Sequence, residues 1–253
     1  MTDVRSRADG RSADTLRPFK IETGIQRNPE GSVVVTAGGT KVLIAASVEE
    51  GVKDFLRGTG RGWVTAEYAM HPRANPGRQR REGRNGQVDG RSQEIQRLVG
   101  RALRAAVRLE NLGERTIHID CDVLDADGGT RTASVTGGYV ALVLALDSLR
   151  RRGLVGASVL REPVAAVSVG LVQGAALLDL CYEEDAACQV DLNLVGGASG
   201  TIIEVQGTAE GEPMTRIEHD ALVDRGLAGI ATLITLQRQA LERVDIDVSR
   251  LLG

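Results

Sequence analysis

The sequence predicts an α/β protein made of two β-rich halves, each closed by a helix. Three observations carry that expectation. β-branched runs bounded by turn glycines occur in both halves, at 32–37 and 41–47 and again at 164–172 and 188–195. Ser92 to Glu110 places Ile95, Leu98, Val99, Ala102, Leu103, Ala106 and Val107 at helical spacing. Long helices over Val135–Arg152 and Ile217–Val244 follow the two β-rich stretches. With 253 residues the chain can bury a large core, as one domain or as two fused halves.

In chain order, the first thirty residues are polar and punctuated by Gly10, Pro18, Gly24 and Pro29, an arm laid over the domain rather than a core element. Ser32–Ala37 and Lys41–Ser47 form a hairpin whose turn is Gly38-Gly39, and Trp63–Tyr68 is a further strand. From His71 to Gly90 the periodicity is broken by prolines and glycines. Arg73, Arg78, Arg80, Arg81 and Arg84 sit among them, a basic loop suited to an RNA backbone. Ser92 is expected to cap the following helix, whose Arg97, Arg101, Arg104 and Arg108 line a polar face read as surface or subunit contact.

Thr116–Leu124 alternates as a half-buried strand, with His118 in a structural place. It runs into Asp127-Gly-Gly-Thr-Arg-Thr-Ala-Ser134. Gly128 and Gly129 allow a sharp turn and close approach, Thr130, Thr132 and Ser134 offer hydroxyls, and Arg131 offers a guanidinium at a helix start. Such a stretch makes an anion site, because helix-terminal N–H groups and the macrodipole favour negative charge. It is equally what an ordinary turn with a capped helix looks like. Arg91, beside the other helix start, can converge on the same anion.

In the second half come strands at Val164–Val172, Ala175–Cys181, Cys188–Val195 and Thr201–Gln206. Asp185 and Asp191 bracket a short turn, and Asp191 shares a face with Gln189 and Asn193. Paired carboxylates next to an anion site suit a hard cation such as Mg²⁺ that is also held by substrate phosphates; on their own, Glu183, Glu184 and Asp185 read as a solvated acidic turn.

Composition narrows the field. The formal net charge is −3, so nucleic acid would have to be met by a local patch. The cations are almost all Arg, with Lys only at 20, 41 and 53, which suits bidentate phosphate contacts. Cys121, Cys181 and Cys188 lack zinc-ligand spacing, and their odd number points to reduced thiols and a cytoplasmic setting. The polar N-terminus is no signal peptide, and no apolar run is expected to span a membrane. With two Phe, three Tyr and one Trp, stacking platforms for bases are nearly absent, so RNA would be held through its phosphates.

Taken together, Gly62-Trp-Val-Thr-Ala-Glu-Tyr68, Gly90-Arg-Ser-Gln-Glu-Ile-Gln-Arg-Leu98, the run 120–134, Ala166-Val-Ser-Val-Gly170 and Ile203-Glu-Val-Gln-Gly-Thr-Ala-Glu-Gly-Glu-Pro213 resemble the bacterial ribonuclease PH family, in order and over residues 8–245. The resemblance implies one domain over 1–253, with halves at 15–152 and 160–245, in a duplicated βαβ-type α/β fold of mixed sheets packed with helices. It implies a phosphate-dependent 3′→5′ exoribonuclease. Such an enzyme trims the 3′ trailers of precursor tRNA and other RNA 3′ ends to nucleoside diphosphates, runs backwards as nucleotide addition, and assembles as a homohexamer, a trimer of dimers. By motif position Arg91, Gly129, Thr130 and Arg131 would hold inorganic phosphate, and Asp185 and Asp191 would hold Mg²⁺. Asp179 and Ser134 would support them, and the 73–84 loop would grip RNA. Its wording, Asn75-Pro-Gly-Arg-Gln-Arg-Arg-Glu82, departs from the family's Thr- and Asn-rich version, and Met214 stands where the family favours an aromatic residue. The alternative is an RNA-binding ring subunit of the same fold without catalysis, which would lack part of the Arg and Asp set.

Overall fold

The computed structural model describes residue 7, residues 9–82 and residues 88–252. The first half is a five-stranded sheet built from β1 (Phe19–Thr23), β2 (Gly31–Ala37), β3 (Thr40–Glu50), β4 (Trp63–Met70) and β5 (Arg115–Asp125), in the order β1-β2-β3-β5-β4. All neighbours are antiparallel except β4 and β5, which are parallel and joined by helix α1 (Gly90–Ala106). A parallel pair requires such a crossover, because a tight turn only reverses the chain. Helix α2 (Thr130–Arg151) follows β5.

The second half contains β6 (Val164–Val172), β7 (Ala175–Leu178), the short helix α3 (Tyr182–Ala187), β8 (Val190–Gly197), β9 (Ile202–Ala209) and the long helix α4 (Arg216–Glu242). Its sheet has the order β7-β6-β8-β9 with antiparallel neighbours throughout. Since β7 and β8 are both antiparallel to β6, they are parallel to each other, and α3 carries the chain across β6 between them. Each half therefore contains one β-α-β crossover and ends in a long helix, as the duplicated plan requires.

Helix α2 packs against β2 and β3 on one side and β6 on the other, while α4 covers the second sheet. Most of α2 is buried, including Tyr139, Val140, Leu142, Leu146 and Leu149. By length and composition it passes as a membrane span, which corrects the expectation that no apolar run would. It is apolar on all sides because it is sandwiched between two sheets.

Several boundaries differ from the expectation. The N-terminal arm includes a strand: β1 pairs with β2 from Phe19↔Ala37 to Thr23↔Val33, and that ladder decides its state although residues 1–30 read as polar. Helix α1 begins at Gly90 with Asp89 at its N-cap. Ser92 does not cap it, but sits in the first turn and donates to Glu82 at 2.8 Å. The helix ends at Ala106, because Val107 turns extended to bridge Leu160. β7 stops at Leu178, since Asp179 adopts a left-handed φ of 55°. The acidic run is no solvated turn: it lies in α3, where Glu184 is buried against Arg7 at 2.6 Å. Of the four arginines expected on a polar face of this helix, Arg108 lies past its end, and three are tied within the chain: Arg101 is bidentate to Glu204, Arg104 lies over Trp63 at 4.4 Å, and Arg108 donates to Leu160 O. Only Arg97 of the four is fully exposed. His118 lies on the outer face of the sheet, 2.8 Å from Glu49.

Candidate active site

A cavity of about 410 Å³ opens where the halves meet, at the C-terminal ends of the parallel strands β4 and β5. Open α/β sheets bind ligands in that place, because the loops leaving the strands and the N-termini of the next helices converge there. Helix α1 brings Arg91 and helix α2 brings Thr130 and Arg131, each in its first turn. From the second half, α3 contributes Asp185 and Tyr182, β6 contributes Ser168, and β8 contributes Asp191 and Asn193.

The loop before α2 has an unusual backbone. Gly128 and Gly129 both take left-handed φ, 74° and 63°, and Gly129 is the N-cap. A Cβ on Gly128 would lie 2.7 Å from Leu180 O, so this glycine is required both by conformation and by contact with the second half. Successive residues in such conformations gather N–H groups into an anion-binding concavity, here continued by the free N–H groups of a helix N-terminus.

The electrostatics divide the cavity into a cationic and an anionic side. Arg131 donates to Gln206 Oε1 at 3.1 Å and lies 3.2 Å from Glu94 Oε2, while Arg91 stands exposed on the rim. Burial pushes the Tyr68 phenol up, opposed by its 2.9 Å bond with Thr130 Oγ1 and by the charges of Arg91 and Arg131. Burial also raises Asp185, and Arg91 and Arg131 work against it. Asp191 is pushed up to about 6 by burial, and the like charge of Asp185 adds to that. Its neighbour Asn193 donates from Nδ2 at 3.3 and 3.4 Å.

Among the described residues no three His, Cys, Asp or Glu side chains cluster as a complete metal cage. Two carboxylates raised chiefly by burial and facing an anion loop are nevertheless a hard-oxygen donor set that leaves positions for water and substrate oxygens. That set fits Mg²⁺.

Six expected residues thus line one cavity: Arg91, Gly129, Thr130, Arg131, Asp185 and Asp191. The two expected to support them lie outside it. Ser134 is fully buried and donates to Thr130 O at 2.9 Å, because it lies one helical turn past the loop. Asp179 is buried and turned to Arg17, 2.7 Å from its Nη2, rather than towards Asp185 and Asp191. In the basic loop Arg73, Arg78, Arg80 and Arg81 are all exposed, and Arg84 lies outside the described residues. Sequence reasoning placed Asn193 on the face of Asp191 but did not single out Tyr68, Ser168, Gln79 or Glu82, and all five also line the cavity. Tyr68 had a signal, as one of three tyrosines and the last residue of the 62–68 motif.

Domain 1 of the 3′ exoribonuclease family matches residues 15–146, and domain 2 of the same family matches residues 162–225. The chain belongs to the 3′ exoribonuclease family. Solved structures share its fold. Rrp46 from rice (Oryza sativa) is similar with a TM-score of 0.76 at 20% identity, covering 93% of this chain and 100% of that one. A chain of the Archaeoglobus fulgidus exosome with RNA bound to the active site gives 0.71 at 23% identity, covering 94% and 92%. A chain of an archaeal exosome core gives 0.73 at 20% identity, covering 92% and 91%. In this 3′ exoribonuclease family chain, the boundary between the two matched domains falls at the end of α2, and the cavity draws on both.

Proposed function

We propose that the protein is a phosphorolytic 3′→5′ exoribonuclease of the bacterial ribonuclease PH type. On this reading it trims the 3′ trailers of precursor tRNA to nucleoside diphosphates and can run in reverse as nucleotide addition. One observation carries it: two arginines, a paired-glycine helix N-terminus and two carboxylates face one cavity between the halves. Attack of phosphate on a phosphodiester brings two anions together, so positioning and charge neutralisation dominate the catalysis. Arg91, Arg131 and the N–H groups around Thr130 orient the nucleophile through charge-assisted hydrogen bonds. Asp185 and Asp191 would hold Mg²⁺, which when bound supplies positive charge at the scissile phosphate or leaving oxygen. The exposed arginines of residues 73–81 contact the RNA backbone upstream.

A homohexameric ring, a trimer of dimers, is the assembly we propose. Two of the similar folds are chains of archaeal exosomes, and edge strand β9 exposes Ile202 and Val205. The three unpaired cysteines support a reducing, cytoplasmic setting. A catalytically inactive RNA-binding subunit of the same fold would be expected to lack part of the Arg and Asp set, all of which is present here. The test is incubation of a 3′-extended tRNA with Mg²⁺, with and without inorganic phosphate, and mass analysis of the released nucleotide. Nucleoside diphosphates appearing only with phosphate support the proposal. Monophosphates would indicate hydrolysis instead, and RNA bound without release would favour the inactive subunit.

A further inference from the structure

Arg17 and Thr40 do not line the cavity; they stand behind the paired-glycine loop. Arg17 is 4% exposed and Thr40 fully buried. Arg17 Nη1 donates to Asp127 O and Nη2 reaches Gly128 O at 3.5 Å. Thr40 Oγ1 donates to Gly128 O at 2.6 Å and accepts from Asp127 N at 2.8 Å. The guanidinium is in turn held by Asp179, with Nη2 to Oδ1 at 2.7 Å and Nε to Oδ2 at 3.1 Å. Asp179 also accepts from Arg17 N at 2.7 Å. The clamp therefore joins the N-terminal arm, the first half and the second half at one pair of carbonyls.

We propose, on the phosphate reading put forward above, that Arg17 and Thr40 are positioning residues for the anionic nucleophile. In a trans peptide unit the C=O and the following N–H point in opposite directions. Holding the carbonyls of Asp127 and Gly128 on the far side turns the N–H groups of Gly128 and Gly129 towards the cavity. Left-handed φ at both glycines then gathers these N–H groups with those of the first turn of α2. The charge of Arg17 is neutralised by Asp179, so its part is to aim the backbone rather than to bind the anion itself. Without the clamp, the loop carbonyls are free to rotate and present oxygen to the incoming phosphate.

Steady-state phosphorolysis at varied phosphate and varied RNA, with calorimetric titration of inorganic phosphate into the RNA-free protein, tests the role. The variants are Arg17→Lys, Thr40→Val and Thr40→Ser. Lysine lacks the fork that reaches Asp179 and two carbonyls, valine keeps the shape of threonine without its hydroxyl, and serine keeps the hydroxyl. The KM for phosphate should rise on the order of tenfold in Arg17→Lys and Thr40→Val, with the KM for RNA unchanged and near-normal behaviour in Thr40→Ser. Phosphate affinity by calorimetry should fall in parallel. Unchanged phosphate KM in folded variants, or equal shifts in both KM values, would overturn the positioning role and leave the clamp as a stability element. Should Arg17→Lys fail to fold, the contrast between Thr40→Val and Thr40→Ser decides alone. Wild-type trimming that is independent of phosphate is a different failure: it sinks the phosphorolytic reading, and the positioning role with it.

Discussion

Asp191→Asn should make the metal-free protein more stable while abolishing its activity. In the folded chain the Asp191 carboxyl is pushed from the ordinary aspartate value of 3.8 up to about 6, chiefly by burial and then by the charge of Asp185. An acid whose folded value is raised binds its proton more tightly when folded. At pH below both values each state is protonated and there is no penalty; as pH rises through about 6 the folded state must ionise a half-buried group and loses stability. The gap corresponds to roughly 3 kcal/mol above both values, and discounting for the part of the group that water reaches leaves about 2 kcal/mol. Asparagine keeps the shape and carries no charge. In metal-free buffer at pH 8 the variant should melt about 4–8 °C above wild type, and the difference should vanish near pH 4. Added Mg²⁺ should raise the wild-type melting temperature and leave the variant's unchanged. Thermal melts followed by circular dichroism, from pH 4 to 8 with and without Mg²⁺, measure this directly. A variant equal to or less stable than wild type at pH 8 would refute the electrostatic account of the carboxylate pair.

Other outcomes follow from the same geometry. Arg131→Ala should lower phosphate-dependent kcat/KM by roughly 10²- to 10³-fold, for the loss of charge-assisted bonds of about 1.5–3 kcal/mol each, without disturbing RNA affinity by filter binding. Glu94→Gln removes the carboxylate 3.2 Å from Arg131, so the KM for phosphate should fall roughly two- to fivefold, about the worth of a half-exposed ion pair; a rise would show that Glu94 orients the arginine rather than competing for it. Arg7→Ala leaves Glu184 buried without its 2.6 Å partner. It should destabilise the chain by about 3–5 kcal/mol, read as a lower midpoint in urea.

Much of the fold was legible because it is written in local periodicity. The alternation of Ile117, Ile119, Cys121 and Val123 places those side chains on the buried face of β5. The apolar positions of α1 are those its helical spacing implied, from Ile95 to Ala106. The Gly-Gly-Thr-Arg stretch announced a turn and a helix start, and both are present. β1 was hidden because only its ladder with β2 makes it a strand. Glu184 looked like one of three solvated acids until Arg7, 177 residues earlier in the chain, came to lie against it.

By itself, the sequence determined the chemistry available to this protein: which residues carry guanidinium, carboxylate and hydroxyl groups, and which stretches are strand, helix or turn. Those properties depend on residue type and on neighbours a few positions away. The tertiary structure alone decided which groups meet. Asp185 and Asp191 belong to a different half from Arg91 and Arg131, and the four share a cavity only because the packing of the two halves brings the starts of α1 and α2 to the same place as α3 and β8. Asp179 and Arg17 show the same thing from the other side. The aspartate could serve a metal or an arginine, and the long-range packing of the N-terminal arm, which buries both groups 2.7 Å apart, gave it to the arginine.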